Sequence, residues 1–184
     1  MQFTSEQRLD DGVIEREFDL GDIPGILWTP RSAPVPLILS GHNGGLHKRE
    51  SRLVARARHG AAEYGYAVAA IDHPGHGDRP RSAIDEKARA DLRYAMAAGD
   101  PVEEIFESFI SPLVEQAVPE WQLALDALLS LPDIGGPVGY SGMTAIGIRL
   151  AVVEPRISAA GFFAGGYVPR AQREEASQVT IPLQ

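Results

Sequence analysis

The sequence predicts an α/β protein in which helices flank a mostly parallel sheet, and three observations support this fold class. Residues 37–39 and 67–71 are short, continuously apolar runs, which are typical of parallel strands buried on both faces. A segment with helical spacing lies between them, and strands that alternate with helices usually pair in parallel. A loop that contains Gly follows each run directly. The chain has 184 residues, so we expect one domain, over residues 1–184.

The first elements are expected to be a β-hairpin, a strand and a helix. Residues 13–20 alternate polar and apolar side chains, Gly21-Asp22 is a turn signal, and residues 23–28 resume an extended pattern. After the strand at residues 37–39, residues 48–65 place apolar side chains on one stripe and several arginines opposite. This pattern is typical of an amphipathic helix. A second buried strand is then expected at residues 67–72.

The middle of the chain predicts more helix than one connection between strands needs. Residues 82–131 are largely helical in pattern, with a break at Gly99-Asp100-Pro101 and a kink or restart at Pro119. We interpret the excess, residues 82–118, as a small helical cap within the domain.

The last part of the chain predicts a further strand–helix–strand unit. We expect a strand at residues 137–140, a helix at residues 144–153 and a strand at residues 157–163. Residues 180–183 have the pattern of one more strand beginning.

Composition and charge exclude several classes of function. The chain carries 17 Lys and Arg against 25 Asp and Glu, and its net charge of −8 disfavours nucleic acid and anionic membrane surfaces as partners. It has no Cys, which excludes disulfides, thiolate metal sites and a Cys nucleophile, and we expect neither a metal nor another cofactor. No signal peptide and no run near the ~18 apolar residues of a membrane span is found, so we expect a cytoplasmic protein.

The motif G-Y-S-G-M around Ser141 is the most informative in the sequence. It places a serine between glycines where a buried strand should turn into a helix, which is the arrangement of a nucleophile elbow. Gly139 provides the small residue that the elbow needs two positions before the serine. Two alternatives stay open: an ordinary polar turn, or Thr144 as the nucleophile with Gly142 two positions before it. Ser141 is preferred because Thr144 would place the β-branched Ile146 at the second close contact.

Three loops together carry a resemblance to a known family. They are H-N-G-G at residues 42–45, D-x-P-G-H-G at residues 72–77 and G-Y-S-G-M at residues 139–143. Each follows a predicted strand, and open α/β sheets keep their active sites at the carboxyl ends of parallel strands. In order and spacing the loops resemble those of the α/β-hydrolase superfamily, especially dienelactone-hydrolase-like and prolyl-oligopeptidase-like serine esterases. The resemblance runs from the hairpin to Gln184.

The resemblance implies a role for individual residues of these loops. Ser141 would attack a carbonyl and form an acyl-enzyme. The backbone N–H groups of Gly142 and Gly44 would hold the oxyanion. Asn43, where the family usually has Gly, is a second candidate for the oxyanion site, and Asn43 and Met143 are expected to bind substrate.

Other polar residues near the loops are expected to be structural. The resemblance implies that His42 and His76 hydrogen-bond the backbone of their turns, and that Asp72 organises its own loop. Residues 47–49 are expected at a solvated rim. His59 is expected to lie far from the motifs.

The resemblance also implies catalytic residues that this sequence does not contain. In the family a carboxylate and a His follow the nucleophile, each after a later strand. Between Ser141 and Gln184 there is no His and no Asp, and the three glutamates there do not follow an apolar strand. Two further units of ~30 residues each would supply them. We therefore expect the C-terminal part of the fold to be missing from these 184 residues, so that the functional protein continues past Gln184 or a partner chain completes it.

Two functions are consistent with the sequence. The first is a serine hydrolase that cleaves a carboxylic ester, a thioester or a small amide. The alternative is a non-catalytic binding module of the same fold without a complete triad. The expected partners are a small-molecule ester and either a homo-oligomer or a completing C-terminal segment. Five apolar residues of the cap could line an acyl pocket, although such residues are more often core: Met96, Ile105, Phe106, Phe109 and Ile110.

Overall fold

A single mixed sheet of seven strands forms the centre of the molecule, in a computed structural model that describes residues 1–163 and 166–183. The order of strands across the sheet is β1-β2-β3-β5-β4-β6-β7. The strands are β1 (Gln2–Arg8), β2 (Ile14–Leu20), β3 (Ile23–Thr29), β4 (Val35–Ser40), β5 (Ala67–Ile71), β6 (Ile134–Met143) and β7 (Ile157–Phe163).

Five α-helices and one short 3₁₀ turn connect and cover these strands. The helices are α1 (Ser51–Glu63), α2 (Ala83–Ala98), α3 (Glu103–Leu129), α4 (Thr144–Val153) and α5 (Arg170–Glu175), and the 3₁₀ turn is Ala176–Gln178. Among the residues described, no helix is both long enough and apolar enough to cross a membrane.

The predicted hairpin is confirmed and has an extra strand on its outer side. β2 and β3 pair antiparallel, with Leu20 opposite Ile23 beside the turn. β1, which pairs antiparallel with β2, was not predicted from the sequence. Its seven residues are all exposed and include one apolar side chain, Phe3, so they have no alternation for a pattern to detect.

The predicted parallel strands are also confirmed as neighbours. β5, β4, β6 and β7 run parallel, with Leu37 of β4 paired to Ala67 of β5 and to Val138 of β6. Because parallel strands share one direction, the loops that follow β4, β5, β6 and β7 all lie at the same edge of the sheet.

Helices cover the two faces of the sheet and create two cores. On one face α1 packs on β3 and β5, and its buried Leu53, Ala57 and Ala61 belong to the same hydrophobic cluster as Trp28. On the other face α3 and α4 pack on β6, and α4 also packs on β7, around the buried Trp121. This arrangement matches the predicted α/β layers.

The helical segment at residues 82–131 differs from the prediction at Pro119. The break at residues 99–101 is confirmed, because Gly99 ends α2 with a φ of 75°. No restart occurs at Pro119, since α3 continues through Pro112 and Pro119 as one helix of 27 residues. Proline removes one backbone hydrogen bond within a helix. Buried side chains on both sides of Pro119 pack on the core and can offset that loss.

The bounds of α4 and β7 agree with the prediction, but the short helix α5 was not predicted. α4 and β7 have the predicted ranges. At residues 180–183 the described chain forms a single parallel bridge, between Leu183 and Ala160 of β7. The six-residue α5 was not predicted, and Gln184 lies outside the described residues.

Candidate active site

A cavity of about 290 Å³ opens where the loops after β4, β6 and β7 meet α3. The loop after β4 contributes Asn43 and Gly44, and the end of β6 contributes Met143. These three residues were predicted for the site from the sequence, and the structure brings them together. Their roles in binding or catalysis stay predictions. The remaining lining residues are Phe106, Ile110, Gly166 and Tyr167.

The outer wall of the cavity is an aromatic pair that joins the cap to the loop after β7. The rings of Phe106 and Tyr167 stack with centroids 5.5 Å apart and an angle of 14° between their planes. The Tyr167 hydroxyl donates a hydrogen bond of 2.7 Å to Glu107, which fixes the ring against α3. Tyr167 was not predicted from the sequence. The sequence did contain a signal, because Tyr167 is the first aromatic residue after β7 and so follows the carboxyl end of a parallel strand.

Ser141 does not lie in the turn between strand and helix. β6 extends to Met143, so Ser141 is inside the strand, opposite Ser40 of β4 and Gly161 of β7. Its carbonyl accepts a hydrogen bond of 2.8 Å from the backbone N–H of Gly41. The predicted position of Ser141 in an elbow is therefore wrong, because pairing with both neighbours keeps the strand straight for two more residues. Its role as nucleophile stays a prediction.

The side chain of Ser141 faces a different groove from the cavity, on the side of the sheet that carries α1. This groove has a volume of about 400 Å³, and its lining includes Ile38, Tyr66, Ser141 and His59. The expectation that His59 lies far from the motifs is therefore wrong. His59 lines this groove from α1, and Ser141 lines it from β6.

Gly142 lies close to the start of the loop after β4. A Cβ atom at Gly142 would lie 2.9 Å from the Cα of Gly41 and 2.7 Å from the Tyr140 hydroxyl. Gly142 is paired with Phe162 in the β6–β7 ladder, and peptide groups alternate in direction along a strand. Its N–H group therefore points towards β7 and not into the cavity, which argues against its predicted role in an oxyanion hole.

Thr144 occupies the position that the sequence analysis assigned to the serine. It is the first residue of α4, directly after Met143 at the end of β6, and Gly142 lies two positions before it. Its hydroxyl donates a hydrogen bond of 2.9 Å to the carbonyl of Phe163. Among the residues described, every non-glycine residue has a negative φ, so neither Ser141 nor Thr144 has the strained backbone of a nucleophile elbow.

Three buried histidines hold the two remaining loops together. His42 Nδ1 lies 2.9 Å from the Asn43 carbonyl, and His76 Nδ1 lies 2.8 Å from the Pro74 carbonyl, so both rings donate from Nδ1. His42 Nε2 then accepts from the backbone N–H of His73 at 3.1 Å, and His73 Nε2 accepts from the Trp121 indole at 3.3 Å. The expected structural roles of His42 and His76 agree with these contacts.

Burial favours the neutral form of all three imidazoles. It lowers the pKa of His42 to about 4, holds the pKa of His73 well below the usual range, and lowers the pKa of His76. Nε2 of His42 and Nε2 of His73 already accept hydrogen bonds, and Nε2 of His76 lies beside the Arg89 guanidinium. Nδ1 of His42 and Nδ1 of His76 bind backbone carbonyls. Within the described residues, these contacts leave none of the three rings with a free basic nitrogen at the cavity.

A buried ion pair fixes the loop after β5. Asp72 is fully buried and accepts hydrogen bonds from Lys48 Nζ at 2.7 Å, from the Lys48 N–H at 2.8 Å and from the Asp78 N–H at 3.1 Å. Burial alone would raise the pKa of Asp72, but the hydrogen bonds from Lys48 outweigh it and lower that pKa. Asp72 therefore organises its loop as expected. Lys48 is buried, so its predicted place on a solvated rim is wrong.

Comparisons with known proteins agree with this architecture. No protein-family model matches the sequence, and no curated protein matches it. Among solved structures, a cold-adapted esterase from an Arctic intertidal metagenomic library is similar at 26% identity and a TM-score of 0.71, over 100% of this chain and 75% of that one. An acetyl xylan esterase from Paenibacillus sp. R4 is similar at 16% identity and a TM-score of 0.56, over 87% of this chain and 51% of that one.

A third similar structure is a dienelactone hydrolase-like promiscuous phosphotriesterase, P91, from metagenomic libraries, at 21% identity and a TM-score of 0.58. The similarity covers 93% of this chain and 66% of that protein. Within residues 1–163 and 166–183, no group of three His, Asp or Glu side chains is placed to hold a metal ion. The sheet order, the helical layers and these likenesses together establish that the chain has the α/β-hydrolase fold of esterases.

Proposed function

We propose that the protein is a hydrolase of carboxylic esters and that the scissile carbonyl binds between Gly44 and the junction of β6 with α4. The observation that carries this proposal is the position of the cavity. It lies at the edge of the sheet where α/β proteins bind ligands, and its lining includes the loop that was predicted to hold an oxyanion. The similar esterase at 26% identity supports the reaction class.

The proposed nucleophile is the hydroxyl of Thr144, because Thr144 follows a residue that lines the cavity, whereas Ser141 faces the opposite groove. Its oxygen would attack the carbonyl carbon, and the hydroxyl proton would pass to a base. The oxyanion would accept hydrogen bonds from the N–H of Gly44 and from that of Ala145, which lies in the first turn of α4, where N–H groups have no partner within the helix. The alcohol would leave with that proton, and water would then release the acid from the acyl-enzyme.

This mechanism needs a base that the three imidazoles do not supply. Each is buried, has a lowered pKa and hydrogen-bonds its own loop or the core. Efficient turnover therefore requires a base from another part of the protein or from a partner chain, as the sequence analysis expects. Without one, the remaining groups of a serine hydrolase typically give only ~10³–10⁴-fold acceleration over water.

The walls of the cavity favour a short acyl group. Phe106, Ile110 and Met143 make much of the wall apolar, and Phe106 with Tyr167 closes it on the outer side. We therefore expect acetyl to butyryl esters to be better substrates than octanoyl esters.

The test is hydrolysis of 4-nitrophenyl acetate, butyrate and octanoate by the full-length protein. Phe106→Ala should enlarge the cavity and raise the ratio of kcat/KM for octanoate over acetate by about tenfold. Phe109→Ala is the matched control, because Phe109 is on the same helix but packs under Arg89 and not in the cavity. Hydrolysis no faster than the uncatalysed rate would refute the proposed function.

A second candidate is a non-catalytic module that binds a small ester or a related ligand in the same cavity. The observation that favours it is the backbone at Ser141 and Thr144, since neither residue has the strained conformation that exposes a nucleophile. This candidate predicts that 4-acetamidobenzoate, an amide that resists hydrolysis, binds while no ester is turned over.

A further inference from the structure

A second cavity adjoins the proposed site and has a different chemical character. It has a volume of about 660 Å³ and lies between the loop after β4, the first turns of α1 and the end of β7. Asn43 lines both this cavity and the smaller apolar one. A substrate whose carbonyl lies beside Asn43 can therefore extend in two directions, into an apolar space and into a polar one.

Two arginines that form no ion pair with another described residue line the larger cavity. Arg52 and Arg56 are one turn apart on α1, so their side chains emerge on the same face of the helix. Within the described residues, neither guanidinium has a carboxylate oxygen within 4.0 Å, although the Glu50 carboxylate acts on the charge of Arg52 from a longer distance. Their neighbours differ, because Arg49 and Arg58 form ion pairs with Glu17 and Glu15 of β2.

Contacts at the cavity wall position one of these cations. The Arg56 guanidinium lies over the ring of Phe163, 4.9 Å from the centroid, which orients it towards the end of β7. The cavity also contains one acidic side chain, Glu50. Its carboxylate caps α1 by accepting from the Leu53 N–H at 2.9 Å, so it is already engaged.

The charges at the cavity add to one positive charge. Arg52 and Arg56 contribute two positive charges and Glu50 one negative charge, in a chain whose net charge is −8. This local balance suits a ligand with one negative charge better than a dianion such as a phosphate monoester. A guanidinium also matches the two oxygens of a carboxylate geometrically.

We propose that this cavity is a subsite for a carboxylate on the substrate, so that the preferred esters carry an anionic group on the alcohol side. The inference rests on the proposed function for the position of the ester carbonyl beside Asn43. The acyl group then fills the apolar cavity, and the carboxylate binds Arg52 and Arg56.

Binding can be measured without turnover. The probes are 4-acetamidobenzoate and its neutral isostere 4-acetamidobenzamide, titrated into the full-length protein by calorimetry or NMR. The carboxylate should bind more tightly than the carboxamide, and Arg52→Gln and Arg56→Gln should each weaken it by about threefold to tenfold. Raising the salt concentration from about 0.01 M to about 1 M should reduce the difference between the two probes.

The matched control is Arg8→Gln, which changes the net charge by the same amount at β1, the opposite edge of the sheet from β7. It should leave both affinities unchanged. Equal affinity for the two probes would overturn the subsite, and so would an effect of Arg8→Gln as large as that of Arg56→Gln.

Turnover separates this inference from the proposed function. The corresponding esters are 4-acetoxybenzoate and 4-acetoxybenzamide. If the acetamide probes show the predicted preference but neither ester is hydrolysed, the subsite stands and the hydrolase proposal fails. If both esters are hydrolysed with equal KM and the probes bind equally, the hydrolase proposal stands and the subsite fails.

Discussion

Single residues fix the loops that surround the candidate site, and Gly77 is the clearest case. Its φ is +58°, a left-handed conformation that favours glycine, and a Cβ atom there would lie 2.2 Å from the Asp72 carboxylate. Gly77→Ala should displace that carboxylate from Lys48 and lower the free energy of unfolding by about 3 kcal/mol or more. Denaturant titration measures this loss.

A second glycine provides the control for that substitution. Gly65 also has a left-handed φ, of +69°, but no atom lies within 4 Å of the position of its Cβ. Gly65→Ala should therefore cost only the backbone term, about 1 kcal/mol. If both variants lose the same free energy of unfolding, the Asp72–Lys48 ion pair does not depend on the absence of a side chain at Gly77.

The buried histidines predict a dependence of stability on pH. Their pKa values in the folded protein are lower than 6.5, with that of His42 at about 4, so the unfolded chain binds more protons between these values. Stability is then fully present above about pH 6.5 and falls as the pH is lowered towards 4. His42 alone should remove about 2 kcal/mol between about pH 7 and pH 5.

Denaturant titrations at several pH values measure that loss, and NMR of the imidazole C–H signals assigns it to individual rings. An unfolding free energy that stays constant between about pH 7 and pH 5 would contradict the burial of neutral imidazoles.

Residue roles were predictable from the sequence only where a motif is local. The structural roles of Asp72, His42 and His76 follow from the turns in which they lie, and contacts within those loops agree with them. Lys48 was misplaced because its partner, Asp72, is 24 positions later in the chain. Ser141 was misplaced because the end of β6 depends on pairing with β7, which the local sequence does not encode.

At the scale of elements, the length of β6 decides which hydroxyl reaches the site. The strand continues to Met143, so the amide of Gly142 should exchange with solvent as slowly as that of Tyr140. Hydrogen exchange measured by NMR tests this directly. An exchange rate at Gly142 close to that of the exposed loop residue Ser32 would place the end of the strand at Tyr140, as the sequence predicted.

The sequence predicted most helices and strands, and it predicted their bounds only where a local signal marks them. α4 and β7 have the predicted bounds, because a sharp change from apolar strand to helix and Pro155 mark them. β1 was missed because an exposed edge strand has no buried face to create alternation. Of the kink or restart predicted at Pro119, the restart was wrong because the buried residues on both sides of the proline keep α3 in one piece, and the kink stays a prediction.

At the scale of the whole molecule, the fold was predictable and the cavities were not. Three loops in the right order after three buried strands were sufficient for the α/β-hydrolase fold, which the solved esterases share. The apolar cavity joins Asn43, Phe106 and Tyr167, which are more than 60 positions apart from one another. Only the folded chain brings them together, so neither Tyr167 nor the basic cavity at Arg56 could be found from sequence patterns.

The central claim is that the protein cleaves esters with a hydroxyl at the junction of β6 and α4. The most direct measurement is labelling of the full-length protein by a fluorophosphonate, followed by mass spectrometry of its peptides. We predict one label, on Thr144, which is lost in Thr144→Val and retained in Ser141→Ala. A label on Ser141 would contradict the assignment and restore the nucleophile predicted from the sequence, whereas the absence of any label would contradict the hydrolase account and support the binding module.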